Sequence, residues 1–137
     1  MGNLRTGRHC VFMMHCHLIF ITKYRGDSLS GEVLLFMEQT MSDICRQFEV
    51  EVVEFNGESD HIHLLINYPP KVQISKLVNS LKGVSSRKIR QNFPCVKYHW
   101  SNKKSGSLWS PSYFAGSVGG TSVDVLKQYI ERQQRPL

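Results

Sequence analysis

Two histidines, His61 and His63, are separated by one residue in an apolar run of the chain, DHIHLLI. If this run forms a β-strand, successive side chains point to opposite faces, so the two imidazoles share one face. The other face then carries the branched apolar residues Ile62, Leu64 and Ile66. Two neutral imidazoles roughly 6 to 7 Å apart can bind one divalent metal ion when a third ligand arrives from elsewhere in the fold. The pattern therefore predicts a core face and a candidate metal site opposite it, with a purely structural role for the histidines as the alternative.

Tyr129 and Gln133 near the C-terminus could complete such a site. The apolar residues Val123, Leu126 and Ile130 indicate an amphipathic helix, in which positions i and i+4 lie one turn apart on the same side. If this helix docks beside the histidine face, Gln133 can supply the third ligand and Tyr129 a hydroxyl. A neutral phenol with a pKa of about 10 is a weak nucleophile, so its chemistry would need a nearby cation. A packing tyrosine and a solvated glutamine are the alternatives.

Hydrophobic periodicity predicts the elements that would position these residues. We expect a long strand over about 10–24, a helix between 31 and 49, and two strands over about 50–55 and 61–66 joined by a tight turn at Asn56-Gly57. A helix over 73–92, a polar connection over 95–107, a strand over 108–118 and a last helix over 123–134 follow. This order predicts an α+β, ferredoxin-like split βαβ sandwich, with an antiparallel sheet, two helices on one face and an added C-terminal helix that carries the tyrosine.

The composition is that of one soluble domain with an excess of positive charge. The chain has 137 residues, 41% hydrophobic and 20% charged, with a net charge of +6. Such a charge favours polyanions, above all nucleic acid, over an anionic membrane surface; a basic domain that binds neither is the alternative. The four cysteines form no CxxC pair, which favours reduced thiols in the cytoplasm. We find neither a membrane-spanning run nor a signal peptide, and we expect residues 1–9 to be a loose terminus of a single domain over 1–137.

The candidate DNA contacts are basic residues in three parts of the chain. They are Lys82, Arg87, Lys88 and Arg90 on the second predicted helix, Lys103 and Lys104 in the polar connection, and Lys23 and Arg25 after the first strand. A solvated helix face is the alternative. Trp100, Trp109, Tyr113 and Phe114 could stack on unpaired bases, although a core position is commoner for aromatic residues.

A competing metal site is conceivable among His9, Cys10, His15, Cys16 and His17. Strand alternation puts Cys16 opposite its two neighbouring histidines, which disfavours a tetrahedral zinc cluster. One of these histidines could instead flank the active face as a DNA contact. The chain has no Walker pattern and no GxGxxG, so we expect no nucleotide cofactor. It also has no HExxH and no GxSxG motif.

Five motifs in order resemble the small single-tyrosine HUH transposases of bacterial and archaeal insertion sequences, the 200/605 type. The His61-Ile62-His63 triplet is similar to the HUH signature. The other matching segments are Lys23-Tyr24-Arg25, Leu81-Lys82-Gly83, Ser85-Ser86-Arg87, and Val118-Gly119-Gly120 followed by LKQYIE and Gln133-Gln134. The resemblance covers about residues 15 to 135. We recognise no counterpart of residues 1 to about 14.

The resemblance implies an enzyme that cuts and rejoins single-stranded transposon ends beside a DNA hairpin. Tyr129 would be the nucleophile that forms a 5′-phosphotyrosine, and His61, His63 and Gln133 would be the ligands of Mg²⁺ or Mn²⁺. Gln134 is adjacent, so the choice of Gln133 depends on the i, i+4 spacing together with the motif. The family works as a homodimer in which a mobile helix, here residues 121–137, completes the metal site of the other subunit. Such an enzyme would act on the nucleoid in a prokaryotic cytoplasm. The alternatives are a non-catalytic ferredoxin-like nucleic-acid-binding protein and a domesticated relative that acts on genomic repeats.

Overall fold

The computed structural model describes residues 4–23, 29–93, 108–117 and 123–133 of the chain. Six strands and three helices lie in these ranges. In chain order they are β1 (Arg5–Thr6), β2 (Val11–Phe12), β3 (His15–Ile21), α1 (Gly31–Gln47), β4 (Glu51–Gly57), β5 (His61–Asn67), α2 (Ile74–Asn92), β6 (Phe114–Ser117) and α3 (Val123–Gln133). None of the described helices is both long and apolar enough to cross a membrane.

The main sheet has four antiparallel strands in the order β4-β5-β3-β6. Helices α1 and α2 cover one of its faces, because each presents a stripe of buried residues at helical spacing. The stripes are Val33, Met37, Met41, Ile44 and Cys45 on α1, and Leu77, Val78, Leu81, Ser85 and Ile89 on α2. They pack against sheet residues that include Leu18, Phe20, Ile62, Leu64 and Ile66. The predicted ferredoxin-like α+β architecture is confirmed.

The first predicted strand, over 10–24, is interrupted. Residues 11–12 form β2, which pairs with β1 in a separate two-stranded sheet, and β3 begins at His15. Where we expected a loose terminus, the described part from residue 4 is tied to the main fold. Arg5 donates hydrogen bonds to the carbonyls of Asn67 and Glu49, at 3.1 and 2.9 Å, and its guanidinium lies 5.0 Å from the centre of the Phe12 ring.

The hairpin between β4 and β5 is antiparallel as predicted, but its turn was placed too early. Asn56 and Gly57 still belong to β4, where they pair with His63 and Ile62, and the chain reverses over residues 58–60. Gly57 has a packing role there, since a Cβ atom at this position would lie 2.5 Å from Cδ2 of Leu34 on α1. The absence of a Cβ atom leaves room for the Leu34 side chain in its present position.

Strand β4 lies at an edge of the sheet and contains a bulge. Val52 pairs with Ile66 and Glu54 pairs with Leu65, so Val53 is an extra residue between the two pairs. Its side chain is 38% exposed.

The segment 108–113 positions β6 and is anchored to α2. Trp109 is 1% exposed, and its Nε1–H donates a 2.9 Å hydrogen bond to Oγ of Ser85. The Lys82 ammonium donates hydrogen bonds to the carbonyls of Ser110, at 2.6 Å, and Ser112, at 3.3 Å. Trp109 is therefore a core residue. The predicted polar connection over 95–107, with Trp100, and the Gly119-Gly120 break lie outside the described residues.

Candidate functional site

His61 and His63 lie on the sheet face away from α1 and α2. The register of β5 with β3 places His61 opposite Ile21 and His63 opposite Ile19. Their neighbours Ile62 and Leu64 have no exposed surface and belong to the core beneath the helices. The predicted alternation of β5 into a core face and a histidine face is confirmed. We call the surface of the sheet that carries His61 and His63 the histidine face.

The ring of His61 is oriented by the residue that precedes it. Nδ1 of His61 lies 2.9 Å from Oδ1 of Asp60, in a pair whose side chains are largely buried. A neutral imidazole that donates from Nδ1 carries its lone pair on Nε2. His61 can therefore present Nε2 to a metal ion while the carboxylate fixes its orientation.

His63 has a histidine neighbour that motif reading did not assign to the site. His17, on β3, brings its Nδ1 atom to 2.7 Å from Nε2 of His63, and the two rings stack with their centroids 4.9 Å apart. His17 lies opposite Leu65, so it is the diagonal neighbour of His63 on the same face. Strand alternation predicted that His17 and Cys16 lie on opposite faces of the strand. It could not predict the register between β3 and β5, which brings His17 next to His63.

The electrostatics of this pair favour neutral imidazoles. Burial lowers the pKa of His17, and nearby Glu54 acts in the opposite direction. Burial is also the main cause that lowers the pKa of His63, and the neighbouring His17 lowers it further. A neutral imidazole is the form that can bind a metal ion, so these shifts are compatible with a ligand role.

Tyr129 lies on α3, and its ring packs against Phe114 of β6 with a centroid distance of 5.4 Å. Phe114 pairs with Ile19, which pairs on its other side with His63, so all three side chains point to the histidine face. The Tyr129 hydroxyl is buried and has no hydrogen-bond partner among the described residues. Within those residues we find no ring contact or hydrogen bond between Tyr129 and His61 or His63.

The two predicted C-terminal site residues lie on one helix. Gln133 is the last residue of α3 and follows Tyr129 by four positions, as the i, i+4 spacing requires. The side chain of Gln133 lies outside what the structure describes.

The donor atoms on the histidine face fit a divalent ion in part. Two imidazoles of one strand lie there, and one is backed by a carboxylate as metal-binding histidines commonly are. In the described ranges, no group of three or more His, Cys, Asp or Glu side chains could hold a metal ion. The predicted third ligand, Gln133, is of a residue type outside these four. Such a group is also absent among the described residues His9, Cys10, His15, Cys16 and His17. Cys16 points into the core, while His17 does not.

The basic residues considered for DNA binding occupy different positions. Arg87, Lys88 and Arg90 are exposed on α2, which lies on the sheet face opposite the histidines. Lys82 is half-buried against the segment 108–113, and Lys23 is half-buried at the end of β3. Arg25, Lys103 and Lys104 lie outside the described residues.

Comparison with known proteins identifies relatives along nearly the whole chain. Residues 10–133 match the family described as "Transposase IS200 like". The ISDra2 transposase TnpA of Deinococcus radiodurans is 34% identical over 95% of this chain and 91% of its own length. The transposase for insertion sequence element IS200 of Salmonella typhimurium is 28% identical over 97% of this chain and 85% of its own length.

Solved structures give the same picture. A crystal structure from Deinococcus radiodurans R1, described as that of a transposase, superposes with a TM-score of 0.83 at 34% identity and covers 96% of this chain and 99% of its own. A REP-associated tyrosine transposase bound to a REP hairpin superposes with a TM-score of 0.54 at 12% identity, over 93% of this chain and 67% of its own, and shares the fold. The match over residues 10–133, together with a relative 34% identical over nearly its full length, shows that this chain belongs to the IS200-like transposase family.

Proposed function

We propose that this transposase cleaves and rejoins single-stranded transposon ends through a covalent 5′-phosphotyrosine on Tyr129, assisted by Mg²⁺ or Mn²⁺. One observation carries the proposal: the ring of Tyr129 packs on Phe114, a residue of the same sheet face that holds His61 and His63. A tyrosine and two imidazoles on a common face are the components that metal-assisted attack on a phosphodiester requires.

His61, His63 and Gln133 would hold the metal ion. When bound, the ion neutralises the charge that develops on the scissile phosphate. Two imidazoles favour Mn²⁺ over Mg²⁺ intrinsically, because Mg²⁺ prefers oxygen ligands, while cellular availability favours Mg²⁺. No nucleotide cofactor is needed, since the phosphotyrosine conserves the energy of the broken phosphodiester bond.

Tyr129 supplies the nucleophile. Its oxygen forms a bond to the phosphorus and its proton passes to water. The bond from phosphorus to the 3′ oxygen breaks, and that oxygen takes up a proton from water to become a free 3′-hydroxyl. In the second step a 3′-hydroxyl attacks the phosphotyrosine, the P–O bond to the tyrosine breaks and the phenol regains a proton. Each attack places additional negative charge on the phosphate. The histidines that would hold the neutralising ion and the tyrosine that attacks must therefore act on the same face of the sheet.

The Tyr129 hydroxyl must leave its buried position to reach a phosphate. In the structure the Tyr129 ring packs on Phe114, and the hydroxyl oxygen is inaccessible to solvent. We propose that α3 moves about the Gly119-Gly120 pair and that in a homodimer the helix of one subunit completes the metal site of the other. The two glycines would permit the backbone angles that such a movement needs.

We propose that the DNA substrate is a single strand with a hairpin. The protein would act on nucleoid DNA in the cytoplasm. The structurally similar REP-associated tyrosine transposase was solved with a REP hairpin bound, which supports this class of substrate. Arg87, Lys88 and Arg90 offer exposed cationic groups for the phosphates. Because α2 lies behind the sheet, DNA that touches both α2 and the histidine face must pass around an edge of the sheet.

The test is covalent adduct formation. Purified protein is incubated with labelled single-stranded ends of the element that encodes it, in Mg²⁺ or Mn²⁺, and resolved on a denaturing gel. We expect an adduct with the wild type and none with Tyr129→Phe, His61→Ala or His63→Ala, while Tyr113→Phe, the matched tyrosine control, retains it. Metal-independent DNA binding that survives both histidine substitutions, without any adduct, would instead favour a non-catalytic binding protein. Adducts formed only on genomic repeats would favour the domesticated relative.

A further inference from the structure

The contact between His17 and His63 joins two ring nitrogens. Nδ1 of His17 lies 2.7 Å from Nε2 of His63, within hydrogen-bond distance, and the rings are stacked with an interplanar angle of 29°. Two neutral imidazoles in this arrangement need one proton between the two nitrogens, so one ring donates and the other accepts. Which ring donates decides what the second nitrogen of His63 can do.

We propose that His17 is a positioning residue of the metal site: its Nδ1 accepts the Nε2–H of His63, which leaves the Nδ1 lone pair of His63 for the metal ion. This inference rests on the proposed function, because it concerns the ligands of the same metal. It adds a residue on β3 to a site otherwise drawn from β5 and α3.

The arrangement around His61 supports this assignment. A neutral imidazole that ligates a metal through one nitrogen carries its proton on the other, and a partner for that proton fixes both the tautomer and the ring orientation. Asp60 is such a partner for His61 through Nδ1. His17 occupies the corresponding position for His63, through Nε2. Each of the two proposed ligands thus has one nitrogen held by a neighbour and one that remains for the ion.

A role for His17 as a third ligand is less compatible with the geometry. Across the described residues, no three His, Cys, Asp or Glu side chains converge in a way that could hold a metal ion. The His17 nitrogen nearest to the site also points at a nitrogen of His63, where it can accept a proton.

Three substitutions separate the hydrogen bond from the stacking. His17→Phe keeps a ring against His63 but removes the acceptor. His17→Asn places an amide atom at the position of Nδ1 and can restore the acceptor, whereas His17→Gln places its amide at the position of Nε2, away from His63. We therefore expect the hydrogen bond from His63 to be present in the wild type, restored at least in part in His17→Asn, and absent in His17→Gln and His17→Phe.

The first measurement uses metal-free protein and proton-nitrogen correlation spectra of ¹⁵N-labelled histidine. We expect a slowly exchanging Nε2–H signal from His63 in the wild type and in His17→Asn, and its loss in His17→Phe. A His63 protonated at Nδ1, or an Nε2–H signal that is unchanged in His17→Phe, would overturn the inference. This readout does not depend on metal binding or on activity.

The second measurement is Mn²⁺ affinity, followed by the electron paramagnetic resonance signal of the unbound ion. We expect His17→Phe to bind about 10- to 100-fold more weakly than the wild type, with most of the loss recovered in His17→Asn. His61→Ala is the control that should abolish binding. If His17→Phe binds as tightly as the wild type while His61→Ala does not bind, the positioning role is wrong and the proposed metal site stands. If the wild type itself does not bind Mn²⁺, the proposed metal site fails, and the Nε2–H signal still tests the hydrogen bond.

Discussion

Phe114 and His63 pair with the same residue, Ile19, from opposite sides of β3. Neighbouring strands lie about 4.8 Å apart, so the residue that holds the Tyr129 ring and the proposed metal ligand are about 10 Å apart across the sheet. The proposed nucleophile, Tyr129, therefore lies close to the histidine face but at a distance from the proposed metal site. A short displacement of α3, rather than refolding, would be enough to change that distance.

Removal of the Tyr129 hydroxyl should abolish catalysis without destabilising the protein. Among the described residues this buried oxygen has no hydrogen-bond partner, and a buried unsatisfied polar group costs about 1 to 3 kcal/mol. We expect Tyr129→Phe to leave the free energy of unfolding unchanged or to raise it by up to about 1 kcal/mol, as measured by urea denaturation. A clear loss of stability would show that the hydroxyl makes a stabilising contact.

Ser85 should be important for stability although it is a small polar residue. It has no exposed surface and accepts the indole N–H of Trp109 at 2.9 Å. Ser85→Ala leaves that buried donor without an acceptor, so we expect a loss of about 1 to 3 kcal/mol in the free energy of unfolding. Ser75→Ala, at an exposed position of the same helix, is the matched control and should change stability by less than about 0.5 kcal/mol.

Lys82 should contribute to the stability of the protein more than to DNA binding. Its ammonium is half-buried, its pKa is lowered by burial, and it donates to two carbonyls of the segment that leads into β6. We expect Lys82→Gln to lower the melting temperature and to leave the salt dependence of DNA binding nearly unchanged. The exposed Lys88 should behave in the opposite way: Lys88→Gln should leave the melting temperature unchanged and reduce the salt slope by about one unit. If both variants change only the salt slope, Lys82 is a phosphate contact instead.

The described cysteines should differ sharply in reactivity. Burial raises the pKa of the Cys45 thiol to about 12, while Cys10 is exposed. The thiolate is the reactive form, so at pH 8 Cys45 is almost entirely in the unreactive thiol form. We expect iodoacetamide to modify Cys10 in the native protein and to modify Cys45 only after denaturation, as read by peptide mass spectrometry. Equal rates for the two sites in the native protein would contradict the buried position of Cys45.

The sequence predicted those features of the fold that depend on local periodicity. Strand alternation placed His61 and His63 away from the core, and helical spacing predicted α2 to within one residue, because each pattern is set by the geometry of a single element. The contact of His17 with His63 was not predictable in this way, since it depends on the register between two strands.

Two residues have tertiary contacts that local sequence does not show. Asn56-Gly57 resembles a tight turn, but both residues belong to β4 and Gly57 lies against the Leu34 side chain of α1, a contact that is not visible in local sequence. Lys82 was predicted from its charge to contact phosphates, and the structure adds hydrogen bonds from its ammonium to carbonyls 28 and 30 residues away. In both cases the contact depends on tertiary structure, which local sequence patterns do not show.

The bulge at Val53 has a consequence for the protein in concentrated solution. An edge strand with regular backbone geometry offers unpaired N–H and C=O groups to other chains and can seed aggregation. The extra residue in β4 disrupts that regular spacing at the middle of the exposed edge. We therefore expect the bulge to disfavour the addition of a strand from another molecule at this edge.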